Sequence, residues 1–242
     1  MKIDCAPTVF VVDGDASGRE ALGQQLRTAG WQTRFAASAE EFLARPRAVT
    51  PGCLLVELHL PGASGLELQR LVADRSELPV IFMSSRADIP STVRAMKAGA
   101  SEFLTKPLAE ESVLAAVSAA LEISRATLTR GAHVQAVADG YQLLSLRERQ
   151  VMQLVVAGRL NKQVAAQLGI SEVTVKVHRG KIMRKMHADS FAGLINMAML
   201  LKDPTPALRL APPPLRRCQP FLRSSGAIVH EHRAPASTQH PC

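Results

Sequence analysis

Short apolar runs alternate with segments of helical periodicity through the first half of the chain, and this alternation limits the folds open to it. The apolar runs begin at Val9, Trp31, Cys53, Pro79 and Ser101. Strands that alternate with helices form parallel sheets, and continuously apolar strands are covered on both faces. We therefore predict an α/β fold over residues 1–122, a doubly wound parallel sheet of the (βα)5 type, whose fifth helix runs from residue 109 to about 128.

Polar residues follow the predicted strands at the edge where parallel sheets bind ligands. Isolated charges at strand ends are usually solvated, but carboxylates, hydroxyls and an ammonium at one edge indicate a functional pocket. The residues at this edge are Asp13, Gly14 and Asp15 after the first strand, Glu57 at the end of the third, Ser84 and Ser85 after the fourth, and Lys106 after the fifth.

Residues 7–122 resemble the receiver domain of two-component response regulators. The resemblance rests on the motifs LPGASG at 60–65, KAGA at 97–100 and KP at 106–107. It implies that Ser84 and Phe103 occupy the hydroxyl and aromatic switch positions of the family. It also implies a histidine kinase, or another regulatory protein, as a partner.

Two residues depart from the receiver pattern, in which two acidic residues follow the first strand and an aspartate accepts the phosphoryl group. Gly14 stands where the family has a direct Mg²⁺ ligand, and Glu57 stands at the phosphoacceptor position. Magnesium needs near-octahedral oxygen ligands, and phosphoryl transfer depends on positioning. We therefore expect no cofactor, weak or absent Mg²⁺ binding, and a Glu57 carboxylate pushed toward Lys106. The alternative is a tolerated variant that still accepts phosphate poorly.

Charge divides the chain into an acidic and a basic part. Residues 1–122 contain 12 Lys and Arg against 15 Asp and Glu, whereas residues 123–202 contain 12 against 4. This division favours a regulatory domain joined to a nucleic-acid-binding domain, although a basic face can also be merely solvated.

Residues 144–202 have the pattern of four short helices that include a helix-turn-helix. Ser145 and Glu148 form a capping box before the first helix, and a glycine-led turn separates the second helix from a basic third helix. Asn161 and Asp189 are predicted to cap the second and fourth helices.

This segment resembles the LuxR-type helix-turn-helix of NarL/FixJ response regulators. The resemblance rests on LSLRERQV at 144–151, AGRLNKQVA at 157–165 and LGISEVTVKVHR at 168–179. It implies double-stranded DNA as the partner, with Lys176 and Val177 facing base edges. The remaining DNA-binding candidates, mainly phosphate contacts, are Lys162, Thr174, Arg179, Lys181, Arg184 and Lys185.

A homodimer is expected because one such domain covers little DNA and half-sites are normally read in pairs. Two apolar seams are predicted to form the dimer. They consist of Leu114, Val117, Leu121 and Leu128 on the fifth helix, and of Leu194, Met197, Ala198 and Leu201 on the last helix.

The remaining expectations concern boundaries and protein class. We predict a linker over 123–143, which contains Gly131 and Gly140, and a disordered, Pro-rich tail over 203–242. No apolar run reaches the ~18 residues of a membrane span, and the cysteines lack the spacing of metal ligands. We therefore expect a cytoplasmic protein without membrane contacts or a metal site.

The sequence thus predicts a DNA-binding transcription regulator that is not an enzyme, with RNA polymerase as a candidate partner. The alternatives are a conventional phosphorylated regulator and a partner-sequestering module.

Overall fold

The receiver half consists of a single parallel sheet and the helices that cover it. In the computed structural model, which describes residues 6–47, 50–86 and 88–202, the strands run in the order β2-β1-β3-β4-β5. The strands are β1 (Thr8–Val12), β2 (Gln32–Ala36), β3 (Gly52–Glu57), β4 (Val80–Ser84) and β5 (Glu102–Thr105). The helices between them are α1 (Ala16–Thr28), α2 (Ala39–Leu43), α3 (Gly65–Leu71) and α4 (Ile89–Lys97). The predicted fold class is confirmed.

Two apolar cores cover the two faces of this sheet because successive side chains of a strand point to opposite faces. Leu54 and Phe82 are buried in one core, whereas Leu55 and Ile81 are buried in the other. Cys53 is buried, and burial raises the pKa of its thiol to about 12.

Four helices follow in the basic segment: α6 (Leu146–Val156), α7 (Asn161–Leu168), α8 (Glu172–Lys185) and α9 (Phe191–Lys202). The predicted capping box at the start of α6 is confirmed, and Gly169 ends α7 with a left-handed φ of 64°. Two predicted caps are wrong. Asn161 is the first residue of α7, and Ser190 rather than Asp189 accepts the hydrogen bond from the Gly193 amide.

Helix α5 (Glu110–Gln142) is longer than predicted, so residues 123–142, which were assigned to the linker, are helical. Its first half packs into the receiver core, whereas Val137 and Tyr141 pack into the core formed by α6 to α9. The glycines that suggested a break are tolerated inside the helix. Gly140 also allows α5 to approach the end of α8 closely, because a Cβ there would lie 3.0 Å from the Lys185 carbonyl oxygen.

The predicted dimer seams are largely core surfaces, which corrects the sequence interpretation. Helical periodicity identifies an apolar face but not what covers it, and here the chain itself covers both seams. Val117, Leu121, Leu194 and Ala198 are buried, and Leu114, Leu128, Met197 and Leu201 are half-buried.

No helix in the described part of the chain is long and apolar enough to cross a membrane. The expectation of a disordered tail over 203–242 falls outside the described residues.

Candidate functional site

One lysine joins the two acidic residues at the edge of the receiver sheet. The Nζ atom of Lys106 lies 2.6 Å from Asp13 Oδ2 and 2.6 Å from Glu57 Oε2. The sheet register explains the arrangement, because Val12 pairs with Val56 and so places the next residue of each strand side by side. Both carboxylates are buried, which leaves Lys106 as their compensating charge.

The protonation of Lys106 reflects two opposed effects. Burial lowers the pKa of its ammonium, but the hydrogen bonds to Asp13 and Glu57, together with the negative charges of these residues, hold the pKa above its ordinary value. The lysine is therefore charged throughout the physiological pH range.

Asp15 and Gly14 lie at the margin of this pocket. The Asp15 carboxylate caps α1 by accepting hydrogen bonds from the Ser17 and Gly18 amides, so it does not join the acidic pair. Gly14 is exposed, and a Cβ there would lie 3.2 Å from Pro61 Cδ.

The two predicted switch residues belong to neighbouring strands, Ser84 to β4 and Phe103 to β5. Ser84 is fully buried, and its Oγ accepts a hydrogen bond of 3.1 Å from the Arg86 amide. The Phe103 ring stacks on Phe82, with the ring centroids 6.3 Å apart, and packs against the receiver core.

The residues present do not fit the Mg²⁺ ion that the receiver fold implies. Gly14 supplies no side-chain oxygen, and the Lys106 ammonium already contacts one oxygen of each carboxylate. The other Asp13 oxygen accepts a hydrogen bond of 2.9 Å from the Asp15 amide. In the described ranges, no group of three or more His, Cys, Asp or Glu residues is arranged to hold a metal ion.

A second candidate site is the outer face of α8. Lys176, Lys181 and Arg184 are exposed, as the sequence predicted for residues that contact DNA. Val177 is 52% exposed, and Val173, four residues earlier on the same face, is 69% exposed. Val173 was not among the residues predicted from the sequence, although its helical spacing from Val177 was a usable signal. Lys162 at the start of α7 is also exposed.

Three other predicted DNA contacts have partners inside the domain. Thr174 Oγ1 lies 2.8 Å from Ser171 Oγ, and Arg179 Nη1 donates to Asn161 Oδ1 at 2.7 Å. Lys185 Nζ lies 2.7 Å from Glu148 Oε2. Thr174, Arg179 and Lys185 therefore have intramolecular partners, and their contacts with DNA stay predictions.

The Glu148–Lys185 pair stabilises the junction of α6 and α8. The hydrogen bond from Lys185 is the largest cause that lowers the pKa of Glu148 to about 2; burial opposes it, and the hydrogen bonds of Ser145 add to it. Since Glu148 is buried and Lys185 only partly exposed, the pair is structural.

Comparison with known proteins accounts for both halves. Residues 9–118 match the response regulator receiver domain, and residues 142–198 match the bacterial regulatory proteins of the luxR family. The chain is 41% identical over 201 residues to the response regulator protein TodT of Pseudomonas putida, covering 83% of this chain and 88% of that protein.

Two further comparisons agree. Identity to the transcriptional regulatory protein FixJ of Bradyrhizobium diazoefficiens is 35% over 192 residues, covering 79% of this chain and 94% of that one. The structure of the response regulator StyR superposes with a TM-score of 0.73 at 42% identity, covering 81% of this chain and 99% of that one. The chain therefore belongs to the NarL/FixJ-type response regulators, DNA-binding transcription regulators that join a receiver domain to a LuxR-type helix-turn-helix.

Proposed function

We propose that this protein is a sequence-specific regulator of transcription that binds its operator without phosphorylation of the receiver. The observation that carries the proposal is the contact of Lys106 Nζ with both Asp13 and Glu57 at 2.6 Å. The positive charge beside the two carboxylates is thus supplied by the chain itself.

Glu57 argues against phosphoryl transfer on geometric grounds. Its side chain is one methylene longer than that of aspartate, and the reaction depends on in-line positioning and on neutralisation of the phosphoryl charge. Here the carboxylate is paired with Lys106, and Gly14 cannot supply a metal ligand. Both requirements are therefore compromised.

Glu57 also places a permanent charge near the position of an aspartyl phosphate. A carboxylate carries about −1, whereas a phosphoryl group carries about −1.5 to −2 and has three acceptor oxygens. Glu57 is thus a partial mimic, already in contact with Lys106. Under this proposal, control comes from protein abundance, a partner protein or a ligand.

The exposed face of α8 supports a division of roles in DNA binding. Lys176 has an exposed ammonium that can donate to base edges, and Val177 can contact thymine methyl groups, with Val173 beside it on the same face. Lys162, Lys181 and Arg184 remain the candidates for phosphate contacts.

Homodimerisation stays part of the proposal, but through a different surface. Because the predicted seams are largely internal, we place the self-association on α4, where three apolar side chains on one helical face are exposed. These are Ile89 at 81%, Val93 at 43% and Met96 at 43%. A second copy is the occupant that matches the pairing of DNA half-sites.

The rival function is a conventional response regulator that a histidine kinase phosphorylates. The retained Ser84 and Lys106 favour this rival. Recruitment of RNA polymerase is compatible with either function and does not discriminate between them.

Incubation with acetyl phosphate and Mg²⁺, followed by intact-mass measurement, separates the two functions. We expect no added phosphoryl group on the parent protein. The matched control is the double variant Gly14→Asp/Glu57→Asp, which restores the acidic pair and the acceptor and needs only a small shift of Pro61. We expect the double variant to gain one phosphoryl group. Stable phosphate on the parent protein would establish the rival.

A further inference from the structure

Arg179 joins three helices of the DNA-binding domain. Its Nη1 atom donates a 2.7 Å hydrogen bond to Oδ1 of Asn161, the first residue of α7. Its guanidinium carbon lies 5.1 Å from the centre of the Phe191 ring, at the first residue of α9. Arg179 itself belongs to α8. One side chain therefore holds the first residues of α7 and α9 against the helix that carries Lys176 and Val177.

The position of these contacts along α8 gives them a consequence for DNA binding. Lys176 and Val177 lie within one helical turn before Arg179 and are exposed. Lys162 directly follows Asn161 in α7 and is also exposed. The Arg179–Asn161 hydrogen bond therefore links the helix that carries the candidate base-reading pair to the helix that carries a candidate phosphate contact.

Arg179 also differs from the other basic residues on α8. Lys176, Lys181 and Arg184 are exposed, whereas Arg179 is half-buried, with an acceptor and an aromatic ring as partners. A guanidinium suits this place because its planar group can donate to an amide oxygen and stack on a ring at the same time. A lysine ammonium, as a point charge, cannot do both in the same geometry.

We propose that Arg179 is a positioning residue for sequence recognition, which holds α8 at a fixed orientation to α7 through Asn161 and to α9 through Phe191. It acts through the candidate base-reading residues Lys176 and Val177 rather than by contacting a phosphate itself. The proposal deepens the DNA-binding role of α8 and rests on it.

A double-mutant cycle tests the proposal with the full-length protein. Asn161→Ala, Arg179→Ala and the double variant are titrated against a duplex that the parent protein enriches from a random pool, and against a scrambled duplex. We expect each single change to weaken binding to the enriched duplex about tenfold, and the double change to weaken it no more than the worse single change. Binding to the scrambled duplex stays within about twofold of the parent. Additive losses in the cycle would overturn the proposal.

The salt dependence of binding to the scrambled duplex provides a second readout, which needs no operator. A phosphate contact contributes about one unit to the slope of log affinity against log salt concentration. Arg179→Ala should leave that slope unchanged, whereas Lys181→Ala, the matched loss of an exposed charge from the same helix, should reduce it. A reduction of about one unit for Arg179→Ala would overturn the proposal.

Arg179→Lys separates a positioning role from a phosphate contact, because the substitution keeps the positive charge and loses the planar guanidinium group. Positioning predicts weakened binding to the enriched duplex, and a phosphate contact predicts nearly parental binding. Phe191→Leu removes only the ring and should also weaken binding to the enriched duplex alone.

Circular dichroism and thermal melting identify any variant that fails to fold. If an alanine variant does not fold, Arg179→Lys and Phe191→Leu decide the outcome. If the parent protein enriches no sequence from the random pool, the proposed sequence-specific binding is wrong. The salt dependence of binding to the scrambled duplex still shows whether Arg179 contacts a phosphate.

Discussion

Glu57 Oε2 and Lys106 Nζ lie 2.6 Å apart at the edge of the receiver sheet, and Asp13 lies at the same distance from that lysine. Glu57 follows Val56, the residue that pairs with Val12, so its position is set by the register of β1 and β3. The Lys106 amide donates a 2.8 Å hydrogen bond to the Ser84 carbonyl, which fixes the lysine's backbone at the end of β4. Backbone pairing therefore brings the three charges together.

Removal of the lysine should destabilise the receiver domain. Lys106→Met leaves two buried carboxylates without a compensating charge, and we expect a loss of about 3 kcal/mol in the free energy of unfolding at neutral pH. Urea titration measures it, with Lys97→Met as the control, because Lys97 is exposed and should change stability by less than about 0.5 kcal/mol. Equal effects of the two substitutions would contradict the assigned role.

The Glu148–Lys185 pair should give the DNA-binding domain a specific acid sensitivity. The pKa of Glu148 in the folded protein is about 2, below its ordinary value of 4.5. A depressed carboxyl pKa contributes stability that is fully present above pH 4.5 and is lost as the pH falls toward 2. Glu148→Gln should flatten the dependence of stability on pH in this window. An unchanged dependence in the variant would assign the acid sensitivity to other groups.

The two candidate self-association surfaces should respond differently to a charge. Ile89→Asp changes an exposed side chain on α4 and should prevent dimer formation while the protein stays folded. Leu121→Asp places a charge in the receiver core and should unfold that domain. Sedimentation with circular dichroism separates the outcomes, and a folded dimer of the Ile89 variant would exclude α4 as the interface.

Two lysines should affect DNA binding in different ways. Lys176→Ala should cost about 1–3 kcal/mol on the preferred sequence and relax specificity, because a base-edge contact is lost. Lys162→Ala should weaken binding to all sequences and flatten its salt dependence, because a phosphate contact is lost. Titration of each variant at two salt concentrations, on preferred and scrambled duplexes, checks both roles. A variant that binds like the parent would remove that residue from the interface.

The receiver sheet and the proximity of Glu57 to Lys106 were predictable, because strand periodicity is local and parallel strands share one edge. The full length of α5 was not predictable, since Gly131 and Gly140 are breaking signals that only tertiary packing overrides. The apolar seam containing Leu121 was misassigned because periodicity does not say which surface covers a face. The Arg179–Asn161 contact was beyond sequence reasoning because it depends on how α7 and α8 pack.

Operator affinity with and without a phosphodonor tests the central claim most directly. The purified parent protein is titrated against its enriched duplex, alone and after treatment with acetyl phosphate and Mg²⁺ or with beryllofluoride. The Gly14→Asp/Glu57→Asp variant serves as the responsive control. We predict the same affinity for the parent under all conditions, with no phosphate on the protein. A rise in operator affinity that accompanies stable phosphorylation of the parent would contradict the account.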